Sequence, residues 1–165
     1  MSNRTEISTL GEFGLIRHLT DRIEIKNNST IKGVGDDAAI LSYEDRQVLV
    51  TTDLLLEGIH FDLTYVPLKH LGYKSAVVNF SDIYAMNGLP KQITVSLGIS
   101  KLFSVEDVED FYAGLKLACD VYGVDIVGGD TSASLTGLCI SITCIGEGER
   151  DKVVLRSGAQ ETDLI

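Results

Sequence analysis

Four short acidic motifs hold the residues of this chain whose types and spacing could do chemistry. In each, an aspartate follows small or hydroxyl residues, which let a ligand approach the backbone and add oxygen atoms beside the carboxylate. Mg²⁺ prefers oxygen ligands and often shares them with substrate phosphates. The pattern predicts a magnesium site for a polyphosphate, although each motif alone is also typical of a turn or a helix cap. The motifs are Gly33-Val34-Gly35-Asp36-Asp37, Thr51-Thr52-Asp53, Asn79-Phe80-Ser81-Asp82 and Gly128-Gly129-Asp130.

Asp53 is the best single candidate for a metal ligand. It lies in a predicted strand between Val50 and Leu54, where a carboxylate costs free energy unless it is paired or metal-bound. Strand alternation places Thr51 and Asp53 on one face and Thr52 on the other, where the Thr52 backbone carbonyl could still bind metal.

Two further motifs supply partners for this strand. Asn79 and Asp82 are three residues apart in a predicted helix and should share one face, with Ser75 and Ser81 nearby. His60 follows the strand in a predicted loop and could contact a second substrate, while an ordinary surface or core role for it stays open.

The segment Gly33-Val34-Gly35-Asp36-Asp37-Ala38 formally matches a dinucleotide-binding fingerprint. That fingerprint needs a buried strand before it and a helix after it. Here the preceding residues are polar, the following ones are typical of a strand, and two aspartates would repel a pyrophosphate unless a metal intervened. The match is therefore rejected, leaving a metal site or a tight glycine-flanked turn.

Composition limits the class of partner. The 165 residues carry a net charge of −10 with no basic block, so neither nucleic acid nor an anionic membrane is an expected partner. No apolar run approaches the roughly 20 residues of a membrane span, and the N-terminus lacks the apolar stretch of a signal peptide. The cysteines, which show no paired spacing, are expected to be reduced thiols in a cytoplasmic protein: Cys119, Cys139 and Cys144.

Hydrophobic periodicity predicts an α+β fold in the order α-β-β-α-β-α-β-β. Several predicted strands are half polar, which indicates a mixed, largely antiparallel sheet with helices on one face. The predicted helices are 10–24, 67–87 and 104–122, and the predicted strands are 38–42, 47–56, 91–99, 124–128 and 138–146.

The ordered motifs together resemble thiamine-monophosphate kinase, specifically its N-terminal domain, and the resemblance extends over essentially the whole chain. It rests on the four acidic motifs and on Gly11-Glu12-Phe13, Gly58-Ile59-His60-Phe61, the Thr131 that follows Asp130, and Arg156-Ser157-Gly158-Ala159. Residues 1–150 would form the ATP-binding, magnesium-binding and dimerisation domain. Residues 151–165 resemble the start of a C-terminal domain that is missing from this chain.

The resemblance implies phosphoryl transfer from ATP to thiamine monophosphate, with several Mg²⁺ ions. It also implies a homodimer in which two sheets pair into a β-barrel. Its implied magnesium ligands are Asp37, Thr51, Thr52, Asp53, Asp82 and Asp130. Its implied ATP contacts are Gly129, Asp130 and Arg156, while His60 would lie against thiamine monophosphate. Asp36 adjoins the metal position, and no acid or base is assigned.

Because the family's C-terminal domain supplies further ligands, the 165-residue chain alone is expected to be inactive or very weak. Two other interpretations stay open. One is another ATP-using enzyme of the same superfamily, such as selenophosphate synthetase or aminoimidazole ribonucleotide synthetase. The other is a non-catalytic module that binds nucleotide and dimerises.

Overall fold

The computed structural model of the chain describes residues 30–32, 36–43, 46–158 and 160–163, together with Gly14. Its two long helices are α1 (Leu68–Ala85) and α2 (Val105–Tyr122), and a short 3-10 turn spans Arg156–Gly158. The helix predicted at 10–24, apart from Gly14, lies outside the described residues, as do positions 33–35. The strands are β1 (Thr30–Lys32), β2 (Ala39–Tyr43), β3 (Arg46–Leu56), β4 (Leu89–Ile99), β5 (Asp125–Ala133) and β6 (Cys139–Gly148).

The described strands form one six-stranded sheet in the order β1-β2-β3-β6-β4-β5. Every neighbouring pair is antiparallel except β4 and β5, which run parallel and are connected through α2. A parallel pair needs such a crossover, whereas antiparallel neighbours can be joined by short turns. The predicted α+β class and the mixed, largely antiparallel sheet are confirmed.

One face of the sheet carries the core. Helix α1 packs against β3, β4 and β6, and α2 packs against α1 and β5. Alternate residues of β3, β4 and β6 point under the helices, and they are buried: Leu49, Leu55, Ile93, Val95, Leu97, Ile140, Ile142 and Cys144. The residues between them lie on the opposite face, which no described element covers; Leu54, for example, is 52% exposed.

The two helices approach each other closely through glycines. A Cβ at Gly72 would lie 1.9 Å from the Phe111 carbonyl oxygen, and one at Gly114 would lie 1.7 Å from the Lys69 carbonyl oxygen. Backbone-to-backbone contact at this separation excludes any side chain. The glycines therefore fix α1, which carries Asn79 and Asp82, against α2.

Helix α2 begins and ends as its sequence predicts. Ser104 and Asp107 form a reciprocal capping box, and Gly123 ends the helix with the left-handed φ of 67°. At α1, Pro67 is the N-cap and not the first helical residue, so the predicted start was one residue early. Neither of the described helices is long and apolar enough to cross a membrane.

Two strands differ from the prediction by more than a shift of one or two residues at an end. Strand β5 runs to Ala133 instead of ending at residue 128, and the three-residue β1 was not predicted. Strand β5 continues because Gly129 fits against β4, where a Cβ would lie 1.9 Å from the Val95 carbonyl oxygen. Gly-Gly-Asp was interpreted as the end of a strand because both residue types favour turns.

Candidate functional site

A polar site forms where β3 meets α1, on the helix-covered side of the sheet. The hydroxyl of Thr51 donates a hydrogen bond of 2.8 Å to a carboxylate oxygen of Asp82. Thr51 is buried in β3, and Asp82 is half-buried on α1. The hydrogen bond brings these two motifs together, a contact that their spacing in the sequence does not establish.

Asp53 joins the same site from the next inward-facing position of β3. Its backbone N–H donates to the Asn79 side-chain oxygen over 3.2 Å, and Asn79 is fully buried on α1. Alternation along the strand thus places Thr51 and Asp53 together, as predicted. Of the two serines expected beside them, Ser75 is buried on this helix face, but Ser81 is exposed, so that part of the prediction was wrong.

The electrostatics of the two carboxylates are unfavourable without a counter-ion. Burial raises the pKa of Asp53, and the negative charge of Asp82 raises it further, against a lowering by His60. Burial also raises the pKa of Asp82; the Thr51 hydrogen bond and Arg156 oppose this, while Asp37 adds to it. Two neighbouring, half-buried carboxylates whose pKa values are raised by burial and negative charge are suited to binding a divalent cation, because the cation favours their charged forms.

The 3-10 turn brings Arg156 to the same region. Its guanidinium pairs with the Asp37 carboxylate, with the Nε atom 2.8 Å from the carboxylate oxygen. Its backbone N–H points at the Asp36 carboxylate, 3.3 Å away. The pair of Asp37 and Arg156 joins a predicted metal ligand to a predicted ATP contact.

Asp36 itself is satisfied by protein groups. Its side chain is only 1% exposed and lies 2.6 Å from the Lys32 ammonium. Burial alone would raise the pKa of Asp36, but the hydrogen bond from Lys32 and the backbone N–H groups of Asp37 and Arg156 lower it overall. Asp36 is thus held as a carboxylate that orders the turn before β2, a role that the sequence left unassigned.

Thr52 and Asp130 lie apart from this site. The Thr52 hydroxyl is on the opposite face of the sheet, where it donates to the Ile142 carbonyl and accepts from Thr143. Asp130 is exposed on β5 and aligned with Ser96 of β4. Because β3 and β5 are three strand positions apart, Asp130 lies about 14 Å from the Asp53 row. Gly129 has the packing role against β4 described above.

The oxygen donors of this site suit a metal ion that is shared with a phosphate group. Among the described residues, no group of three or more His, Cys, Asp or Glu side chains is arranged to hold one. Mg²⁺ is usually held by one or two carboxylates, with substrate phosphates and water completing its octahedron. Asp53, Asp82 and the Thr51 hydroxyl fit such a phosphate-shared site and not a closed protein cage.

His60 lies in the loop after β3. Its Nδ1 atom accepts a 3.0 Å hydrogen bond from the Leu56 N–H, which assigns the ring proton to Nε2. The Lys74 ammonium donates to the His60 carbonyl over 2.9 Å and ties the loop to α1. The ring therefore offers an Nε2–H donor beside the Asp53 site.

The cysteines play no part in the site. All three cysteines are free thiols, and Cys119 and Cys144 are buried as predicted, whereas Cys139 is only partly buried. Burial raises the pKa of Cys119 to about 11 and that of Cys144 to about 12, so neither is a thiolate at neutral pH.

The chain is similar to known proteins in both sequence and fold. Residues 35–147 match the family described as AIR synthase related protein, N-terminal domain, and the chain belongs to this family. The chain is also similar in sequence, over nearly its whole length, to thiamine-monophosphate kinases. The Aquifex aeolicus kinase is 40% identical over 159 residues, which cover 96% of this chain and 49% of the kinase. The Bacillus subtilis kinase is 36% identical over 157 residues, covering 94% of this chain and 48% of the kinase.

A solved structure supports the same relationship. The structure described as AaThiL complexed with AMPPCP and TMP aligns with a TM-score of 0.84 and 40% identity, over 96% of this chain and 48% of that one. The predicted resemblance is confirmed. The chain spans about half the length of the relatives it matches.

Proposed function

We propose that this chain is the ATP- and magnesium-binding domain of a thiamine-monophosphate kinase, which transfers the γ-phosphoryl group of ATP to thiamine monophosphate. The products are thiamine diphosphate and ADP. The observation that carries the proposal is the hydrogen-bonded contact of Thr51 with Asp82 beside Asp53, in a chain 36–40% identical to such kinases. That identity favours a kinase over the two synthetases considered above.

In this proposal, Asp53, Asp82 and Thr51 present oxygen atoms to Mg²⁺ at the junction of β3 and α1. Bound Mg²⁺ supplies positive charge that neutralises the phosphates during in-line transfer. The raised pKa values of Asp53 and Asp82, caused first by burial and then by neighbouring negative charge, support this role, because a cation would favour the charged form of both carboxylates. Asp37, which pairs with Arg156 in this structure, would be a further ligand of Mg²⁺, and Arg156 would contact a nucleotide phosphate.

The remaining assignments belong to the two other regions. His60 would donate its Nε2–H to thiamine monophosphate. Gly129, Asp130 and the Thr52 backbone would serve the nucleotide and a further Mg²⁺ on the open face of the sheet. A second copy of the chain would cover that face, giving a homodimer with a β-barrel between its subunits.

The chain is proposed to be inactive by itself. In this proposal, residues 1–150 belong to the ATP- and magnesium-binding domain, and residues 151–165 begin a second domain that would supply further ligands. Phosphoryl transfer depends mostly on positioning and charge neutralisation, so the loss of half the ligands removes most of the rate.

Calorimetric titration with the ATP analogue AMP-PNP, with and without Mg²⁺, tests the proposal. We expect magnesium-dependent binding by the wild-type chain and at least tenfold weaker binding by Asp53→Asn. Asp110→Asn, an exposed substitution on α2 with the same change of charge, is the control and should bind as the wild type does. Equal binding with and without Mg²⁺, or no binding, would contradict a magnesium–nucleotide site in this domain.

A further inference from the structure

Asn79 is a buried polar residue that the proposed function does not use. It is fully buried on α1, and its side-chain amide is bonded at both ends. The Nδ2 group donates to the Ser75 carbonyl over 3.1 Å, and Oδ1 accepts from the Asp53 N–H over 3.2 Å. A buried amide with both groups satisfied holds one orientation and links the helix rigidly to the strand.

The bond between Asn79 and Asp53 lies beyond the point where β3 pairs with β2. Strand β2 pairs with β3 only as far as the pair Ala39 and Val50 in the part of the chain that the structure describes. Beyond Val50, the described part of β3 pairs with β6 alone. The Asp53 N–H lies on the β6 side of the strand and also has the Asn79 Oδ1 atom 3.2 Å away, so Asn79 ties β3 to α1 at this residue.

We propose that Asn79 is a positioning residue: it holds the β3 backbone at Asp53, so that the Asp53 carboxylate faces Asp82 across a shared cation. The inference rests on the proposed magnesium site. Asn79 does not touch the cation. Substitution of a group that orients a metal ligand typically weakens metal binding by about 10- to 100-fold.

Two variants remove the link, and a third is a matched control. Asn79→Ala deletes the amide, and Asn79→Leu deletes it while filling the space, which protects the fold if the alanine variant unfolds. Ser75→Ala is the control because Ser75 is equally buried one helical turn away. Its hydroxyl bonds only to the Leu71 carbonyl within α1, over 2.7 Å.

Two measurements on the 165-residue chain separate positioning from simple stability. The first is amide hydrogen exchange at Asp53 by NMR, with Leu55 as the internal reference because its N–H also faces β6. The second is Mg²⁺ affinity from calorimetric titration in the presence of AMP-PNP. We expect both Asn79 variants to speed exchange at Asp53 at least tenfold relative to Leu55 and to weaken Mg²⁺ binding at least tenfold. Ser75→Ala should do neither.

Each alternative outcome overturns the inference. Unchanged exchange at Asp53 would show that Asn79 does not hold the strand. Faster exchange with wild-type Mg²⁺ affinity would leave Asn79 as a structural link without a role at the metal, while the proposed function stands. A wild-type chain that binds no Mg²⁺ would remove the proposed function and this inference together.

Discussion

Asp53 and Asp82 are half-buried carboxylates at the contact between β3 and α1, and burial followed by neighbouring negative charge raises the pKa of each. Natural cores rarely keep such a pair without a counter-charge, because burial and like charge both disfavour ionisation. Arg156 supplies part of that charge through Asp37. The arrangement is therefore one that a divalent cation would stabilise, and its cost in the metal-free chain can be measured.

Neutralising either carboxylate should stabilise the metal-free chain. A raised pKa in the folded state means that stability falls as the pH rises through that pKa, since the folded state must then carry the repelling charges. We expect Asp53→Asn and Asp82→Asn to raise the melting temperature without Mg²⁺ at pH 7 and to abolish the increase that Mg²⁺ gives the wild type. Thermal unfolding without Mg²⁺ and with about 10 mM Mg²⁺ measures both changes in melting temperature. This concentration is in the range that saturates weak, millimolar sites. A lower melting temperature for both variants without metal would contradict the electrostatic account.

Asp36 should show the opposite pH dependence. Its lowered pKa means that it stabilises the fold above the ordinary carboxyl pKa, and that this contribution is lost as the pH falls through the lowered value. We expect Asp36→Asn to be less stable than the wild type at pH 7 and the difference to shrink progressively below about pH 4. Urea unfolding across this pH range measures it. A difference independent of pH would show that the Lys32 and backbone bonds to Asp36 do not favour its charged form.

At the scale of elements, the two adjacent glycines of β5 can show whether Gly129 is needed for packing or for contact with ATP. Gly129 is an implied ATP contact, yet the structure gives it a packing role, while a Cβ at Gly128 would meet nothing within 4 Å. We expect Gly129→Ala to destabilise the chain by about 3 kcal/mol through displacement of the strand, and Gly128→Ala to change stability by less than about 1 kcal/mol. Chemical denaturation measures both. Equal effects of the two substitutions would contradict the packing role.

Local sequence signals predicted some elements and could not predict others. Helix α2 was predictable because Ser104, Asp107 and Gly123 begin and end it through hydrogen bonds to residues close in sequence. The extension of β5 was not predictable, because the contact that makes Gly129 acceptable in a strand comes from Val95, far away in sequence. Strand alternation correctly separated Thr51 from Thr52.

The candidate site likewise has parts that local sequence patterns predict and parts that depend on contacts between residues distant in sequence. Thr51, Asp53 and Asp82 could be grouped from alternation and helical spacing once β3 and α1 were assigned. The distance of Asp130 from them could not, because it depends on the sheet order β3-β6-β4-β5, which long-range packing decides. The pairing of Arg156 with Asp37 likewise joins residues more than a hundred positions apart.

For the whole molecule, the open face of the sheet predicts an oligomer. Covering it with a second copy would bury Leu54, which is 52% exposed, whereas Leu117 is 47% exposed on the outer side of the helices. We expect the wild-type chain to be a dimer in sedimentation equilibrium, Leu54→Asp to be a monomer and Leu117→Asp to remain a dimer. A monomeric wild type, or dissociation by Leu117→Asp alone, would place the interface elsewhere or exclude it.

The most direct test of the central claim is anomalous diffraction from crystals of the chain grown with AMP-PNP and Mn²⁺, which shares the oxygen preference of Mg²⁺. The account predicts an anomalous peak within about 2.2 Å of carboxylate oxygens of both Asp53 and Asp82, with the analogue's phosphates completing the coordination. Bound nucleotide with no metal peak at the junction of β3 and α1, or with a peak only at Asp130, would contradict it.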